Sequence, residues 1–254
     1  MVKANTAVKD YWNQNVANWK IAAHLEAGSE SFFKEVERYR FDKLHYLPNY
    51  IDYNGFANQD VLDIGCGLGT DLSLFAKGGA NSFGIDIAAQ AIEFAKKNFA
   101  WRDLNANLQV MDGEQLDFED NRFDFVYCHT VLHFTTSPAA MIAEVKRVLK
   151  PGGQALLMTI NRASWLYALH KLAGMKIDYL DAPVFHRFNY TEFEQLLAPF
   201  SNKEMIVERF PVRTEVHSGL KAMIYNRLFV DLYNAMPQAI IGKTGYHLLA
   251  RVTK

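Results

Sequence analysis

The chain has 254 residues, 50% apolar and 22% charged, the balance of an ordinary globular protein and enough for one large α/β domain. A formal net charge of -1 gives no overall basic footprint for nucleic acid. The polar start MVKANTAVKDYWNQN lacks the apolar centre of a leader, and no apolar run is long enough to cross a bilayer. The two cysteines, Cys66 and Cys128, suit a reducing compartment, so a cytoplasmic location is expected.

Taken in order, the first elements read as helices, over residues 10–23 and 29–47, the second ended by Pro48. In that second helix Phe33, Val36, Arg40, Leu44 and Leu47 fall near one stripe, with Glu35, Glu37 and Asp42 elsewhere. From Gln59 the period changes. Residues 61–64 form a short apolar strand, and 71–77 a helix stopped by Gly78 and Gly79. A second strand over 82–87 and a second helix over 88–99 follow. Residues 108–111 and 123–128 are further strands, 137–149 a helix, and Pro151-Gly152-Gly153 turns into a strand over 154–160. This alternation predicts parallel βαβ units with right-handed crossovers and helices on both sheet faces. After Asn161 the rhythm breaks. Residues 162–188 are rich in aromatics, and 191–197 read as a helix with Thr191 as N-cap and Glu194 completing a capping box. Short strands over 205–207 and 246–252 enclose a second irregular stretch, 213–244, and predict a hairpin with one antiparallel strand.

The stretch VLDIGCGLGTD, residues 61–71, carries glycines at positions 65, 67 and 69. A loop that seats a pyrophosphate spaces them G-x-G-x-x-G, and the third such position here is Thr70. Asp63 precedes the first glycine by two residues. Both features fit a ligand that carries an amino acid moiety instead of a phosphate, with Asp63 accepting from its ammonium group. Asp86 ends the second strand, where an acid accepts from both ribose hydroxyls. Asp112-Gly113-Glu114 ends the third, where an acid can take the exocyclic amine of adenine while Gly113 admits the ring and Ile87 covers one face.

These pieces, with GIDIAAQAIEFAKKN, MDGEQLDFEDNRFDFVYCHTVLHF and AEVKRVLKPGGQALLM, span about residues 60–160 in order. Together they resemble the class I S-adenosylmethionine (SAM)-dependent methyltransferases, more narrowly the small-molecule type 11 group. The resemblance implies a three-layer, Rossmann-like α/β fold with a seven-stranded, mainly parallel sheet whose last strand is antiparallel. It implies one domain: a helical cap over 1–50, a SAM-binding core over 59–160, and cover insertions over 162–188 and 213–244. By the same resemblance Asp63, Gly65, Gly67 and Gly69 frame the methionine part of SAM, with Cys66 and Asp71 completing the loop. Asp86 takes the ribose, Asp112 and Glu114 flank the adenine, and His129 lies beside the methyl donor.

The remaining candidates are open between two readings each. His129 and His133, at i and i+4, either share a helix face near substrate or pack within the fold; a metal is not expected, because no third ligand is evident. Where the acceptor must lose a proton, His129 is the candidate base. Tyr11 and Arg38 either reach the SAM carboxylate or belong to packing of the cap, with Trp12 and Tyr39 beside them. Trp165, Tyr167, Tyr179, Phe185, His186, Arg187 and Phe188 are either core or a substrate cover, with His186 and Arg187 suited to an anionic group. Residues 163–180, carrying Trp165, Tyr167, Lys171 and Lys176, could instead touch lipid. Cys66 and Cys128 read as small packing residues. The expected function is methyl transfer from SAM, leaving S-adenosylhomocysteine, to a small-molecule acceptor. CHTVLH stands where adenine amino-methylases carry NPPY, and no proline-cysteine pair marks a cytosine enzyme. A peptide or lipid-like acceptor, or a SAM-binding module without catalysis, are the alternatives. A homodimer through a cover helix is the expected macromolecular partner.

Overall fold

A computed structural model describes residues 2–16, 19–172, 179, 181–208 and 219–254. Seven strands form one sheet: β1 (Asp60–Ile64), β2 (Asn81–Asp86), β3 (Asn107–Val110), β4 (Phe123–His129), β5 (Leu149–Ile160), β6 (Asn202–Glu208) and β7 (His247–Thr253). Their order is β3-β2-β1-β4-β5-β7-β6. The first five run parallel, and β7 is antiparallel to both β5 and β6.

Ten α-helices accompany the sheet among the described residues. They are α1 (Val2–Gln14), α2 (Glu30–Lys43), α3 (Thr70–Lys77), α4 (Ala89–Trp101), α5 (Pro138–Val148), α6 (Trp165–Leu172), α7 (Tyr190–Leu196), α8 (Leu220–Ile224), α9 (Val230–Ala235) and α10 (Gln238–Ile241). A π-helical turn, Tyr225–Phe229, joins α8 to α9.

The strands alternate between two cores, as side chains on a pleated strand must. Along β4, Phe125 and Tyr127 pack with Leu44, Leu47 and Phe75 on the α2 and α3 side. Val126 and Cys128 pack with Ile142, Val145 and Phe193 on the α5 and α7 side. The near-continuous apolar run of β4 is therefore that of a strand covered on both faces.

Several boundaries differ from the sequence expectation, each for a local reason. Helix α1 begins at Val2, not near residue 10, because Val8 and Trp12 place a narrow apolar stripe in an otherwise polar helix. Helix α2 ends at Lys43, and a separate 3-10 turn at Leu47–Asn49 holds Pro48. Pro151-Gly152-Gly153 does not break the sheet. Strand β5 runs through it, with Phe123 facing Leu149 and Phe125 facing Gln154, so the turn is absorbed as an irregularity in the ladder. Helix α7 is capped by Asn189, whose side chain accepts from Glu192 N while the Glu192 carboxylate accepts from Asn189 N. Thr191 and Glu194 are thus interior residues, not the cap. Within 162–188 the structure contains α6, and the remainder of the lipid-contact stretch 163–180 lies largely outside the described residues.

Candidate functional site

A cavity with about 790 Å³ of empty space, its open mouth included, lies over the C-terminal ends of β1, β2 and β3. The loop after β1 forms its floor. Gly65 N and Cys66 N both donate to Ile85 O, at 2.8 and 2.9 Å, which ties the loop to β2. Gly65 has φ +73°, and a Cβ there would lie 2.2 Å from Val131 Cγ2. Gly67 has φ +53° and faces open space, with nothing within 4 Å of its Cβ direction. Both need a left-handed backbone that only glycine adopts at low cost. One lets the β4 loop close over the turn; the other leaves room for a ligand. Gly69, φ +71°, serves as the N-cap residue of α3.

Asp86 stands at the cavity edge with its carboxylate held by Gly67 N at 3.0 Å and Ala88 N at 2.9 Å. Burial raises its pKa, and the N–H groups of Ala88 and Gly67 work against that rise. Asp112 Oδ1 accepts from Glu114 N at 2.9 Å, and its Oδ2 accepts from Asn5 Nδ2 of α1 at 2.7 Å. Glu114 accepts from Thr136 Oγ1 at 2.7 Å. Helix α1 therefore roofs the cavity, with Asn5, Val8 and Trp12 on its inner stripe.

Of the residues expected at SAM, the cavity wall holds Gly65, Gly67, Asp86, Ile87, Asp112, Gly113 and Glu114. Gly113 does not open onto ring space: a Cβ there would meet Met141 Cε at 2.5 Å and Ile64 Cγ2 at 2.8 Å, so it permits α5 to pack close. Asp63, Cys66, Asp71 and His129 are buried behind that wall. Burial, then the neighbouring Asp71 charge, pushes the Asp63 carboxyl well up. Burial likewise pushes the Cys66 thiol well up and the Cys128 thiol to about 12, so neither is an activated nucleophile.

Arg38 does not face the cavity. It pairs with Glu35 at 2.9 Å and Asp42 at 2.7 Å on the outer side of α2. Arg40, two residues on, points inward instead. Its Nε lies 2.8 Å from both Asp71 oxygens, its Nη2 also bonds Asp71, and Nη2 is 3.4 Å from His129 Nδ1. Burial works against the Arg40 charge, but Asp71 outweighs it and the guanidinium pKa rises. The signal for Arg40 was in the sequence: it is the one charged residue in the apolar stripe of α2. Tyr11 lies outside the cavity wall, and its hydroxyl donates to Asp181 at 2.9 Å. Tyr39 lies under Lys43 on the α2 surface.

His129 and His133 are not on one helix. His129 ends β4, and His133 sits in a 3-10 turn, Leu132–Phe134. Both imidazoles are kept neutral: burial, then Arg40, lowers the His129 pKa well below its usual range, and burial, then His186, lowers that of His133 to about 3. Trp12 packs on Phe134 and Tyr179 at 4.9 and 5.1 Å, and Phe185 lies 5.4 Å from Phe134 and 5.7 Å from His133. His186 N donates to His133 O at 2.7 Å, and Arg187 lies over the rings of Tyr167 and Phe185. These aromatics make a box beside the cavity. Trp165 is outside it, 60% exposed at the start of α6. Among the described residues no three His, Cys, Asp or Glu side chains converge as metal ligands, and no helix is long and apolar enough to cross a membrane.

A parallel sheet in this strand order, with a glycine turn after β1 and acids after β2 and β3, defines the class I SAM-dependent methyltransferase fold. Residues 62–157 match the Methyltransf_11 methyltransferase domain, and the chain belongs to the type 11 group of that class, whose cofactor is SAM. The chain is 35% identical to a ubiquinone biosynthesis O-methyltransferase of Coxiella burnetii over 129 residues, 50% of this chain and 54% of that one. With the Pseudomonas aeruginosa enzyme of the same name it shares 34% over 158 residues, 61% of this chain and 66% of that one. The match thus spans between half and two thirds of those relatives. A SAM-dependent methyltransferase of Thermotoga maritima has the same fold, with TM-score 0.63, 17% identity, and 97% of this chain and 99% of that one covered.

Proposed function

We propose that the protein transfers the methyl group of SAM to a hydroxyl of a small organic acceptor. The observation that carries this reading is the Asp86 carboxylate, fixed by two backbone N–H groups at the edge of a cavity whose floor glycine, Gly67, leaves ligand space open. Those donors leave the outer lone pairs of Asp86 for a ribose diol, and charge-assisted bonds of that kind contribute about 1.5–3 kcal/mol each. Asp112 and Glu114 would hold the adenine side, and the N–H groups of the glycine loop the amino acid side. Bound SAM supplies an electrophilic methyl group on a sulfonium sulfur. The protein's task is then alignment, which accounts for about 7–11 kcal/mol of barrier lowering in well-oriented reactions. The oxygen acceptor follows the O-methyltransferases that the chain resembles. The box of Trp12, Phe134, Phe185 and His133 suits a flat, largely apolar molecule.

Calorimetry with S-adenosylhomocysteine, followed by transfer of labelled methyl from SAM to a panel of hydroxylated aromatics, tests this. Binding with turnover on at least one hydroxyl compound is the expected result. Tight binding with no transfer to any oxygen, nitrogen or sulfur acceptor of the panel would overturn it.

A further inference from the structure

His129 is 5% exposed and ends β4, and the next two residues, Thr130 and Val131, line the cavity. Its Nδ1 meets Arg40 Nη2 at 3.4 Å. A guanidinium has only donors, so in this contact Nδ1 must accept. Arg40 cannot turn aside, because Asp71 holds its Nε through both carboxylate oxygens at 2.8 Å. A neutral imidazole that accepts at Nδ1 carries its proton on Nε2. That Nε2 is buried and has no protein partner. The groups packed around the ring are Tyr127, stacked at 5.8 Å, and His247, edge-on at 6.3 Å and itself bonded to Tyr46 through Nδ1 at 2.5 Å. The charged groups beside it are Arg40, paired with Asp71, and Asp63 lies behind the same loop. An orphaned buried donor at the C-terminal edge of the sheet is a vacant hydrogen-bonding position where ligands of such folds lie.

We propose that the Asp71–Arg40–His129 chain locks His129 as its Nε2–H tautomer and that this N–H donates to the oxygen that receives the methyl group. Arg40 and Asp71 are positioning residues in this scheme, which rests on the methyltransferase reading above. His129 is then a donor and not the base that its position in the sequence suggests. The acceptor hydroxyl gives its proton to solvent before transfer. The oxyanion forms the O–CH3 bond, the S–CH3 bond breaks with its electron pair left on sulfur, and no proton reaches His129.

Two-bond ¹H–¹⁵N correlation spectra of ¹⁵N-histidine-labelled protein read the tautomer without an acceptor. His129 is assigned by its loss in His129→Gln, and protonated Nε2 with unprotonated Nδ1 is expected. Arg40→Met removes the lock and allows the Nδ1–H form to appear. In turnover, Gln keeps an N–H near the Nε2 position and Leu keeps only bulk. His129→Gln is expected to retain kcat/KM within about tenfold, and His129→Leu to lose about a hundredfold or more. S-adenosylhomocysteine affinity and thermal melting show that each variant is folded and loaded. An Nδ1–H signal in the parent protein would overturn the lock. Equal loss in Gln and Leu would restore the base, and loss of S-adenosylhomocysteine affinity in His129→Leu would place the donor on the cofactor. Absence of turnover in the parent protein speaks against the methyltransferase reading and leaves the tautomer result standing.

Discussion

Asp86 and Arg40 show how one side chain decides a site. Asp86→Ala removes the acceptor of Gly67 N and Ala88 N together with the ribose partner. It is expected to abolish SAM binding in calorimetry while lowering unfolding free energy by about 1–3 kcal/mol, the cost of leaving donors unmet. A variant with unchanged affinity would contradict the ribose assignment. Arg40→Met leaves Asp71, 6% exposed at its side chain, as an unpaired buried charge. Chemical denaturation should show a loss of about 3–5 kcal/mol. Arg38→Met, which breaks only surface pairs, should cost less than about 1 kcal/mol. Equal losses in the two arginine variants would show that the Arg40 pair is not buried in solution. The glycine loop and its acids were legible because each depends on residue type at a fixed spacing. Arg40 was legible only as an anomaly, an arginine in an apolar stripe, because its meaning comes from Asp71, 31 positions away.

At the scale of elements, the strands of the parallel core were readable because burial on both faces writes continuous apolar runs. Helix α1 was not, since its stripe of Asn5, Val8 and Trp12 is mostly polar elsewhere and its contacts lie on distant loops. The cap of α7 was misplaced for a chemical reason. Thr191 with Glu194 and Asn189 with Glu192 both satisfy the capping spacing, and only the backbone chooses between them. Asn189→Ala is therefore expected to lower unfolding free energy by about 1 kcal/mol and Thr191→Ala by less, as read in urea titrations. The reverse ranking would return the cap to Thr191.

For the molecule as a whole, the buried neutral histidines set an acid limit. His133 is fully buried with its pKa lowered to about 3, while in the unfolded chain it titrates near about 6.5. Below the unfolded value the unfolded chain binds the extra proton, so His133 makes stability fall as pH drops from about 6.5 toward 3 and adds no slope above it. His129 and His247 act in the same direction, while the raised Asp63 and Asp86 act in the opposite one. The difference isolates one residue: between pH 7 and 5, His133→Gln should show a flatter urea midpoint than the parent protein. Parallel profiles would mean that His133 is protonated in the native state.

The last two strands carry a different consequence. Glu208 and His247 are register partners across β6 and β7, so the chain leaves the sheet and returns to it at adjacent points. The intervening residues 209–246 include α8, α9 and α10, hung from one end of a hairpin. Such a segment is a cassette. It can lengthen, shorten or be exchanged without shifting the pairing of any strand, since loop closure costs rise only slowly with length. A chimera carrying the corresponding segment of a related enzyme should keep S-adenosylhomocysteine affinity and change which hydroxyl compounds it methylates. Divergence within this fold would then proceed by trading lids over a constant engine.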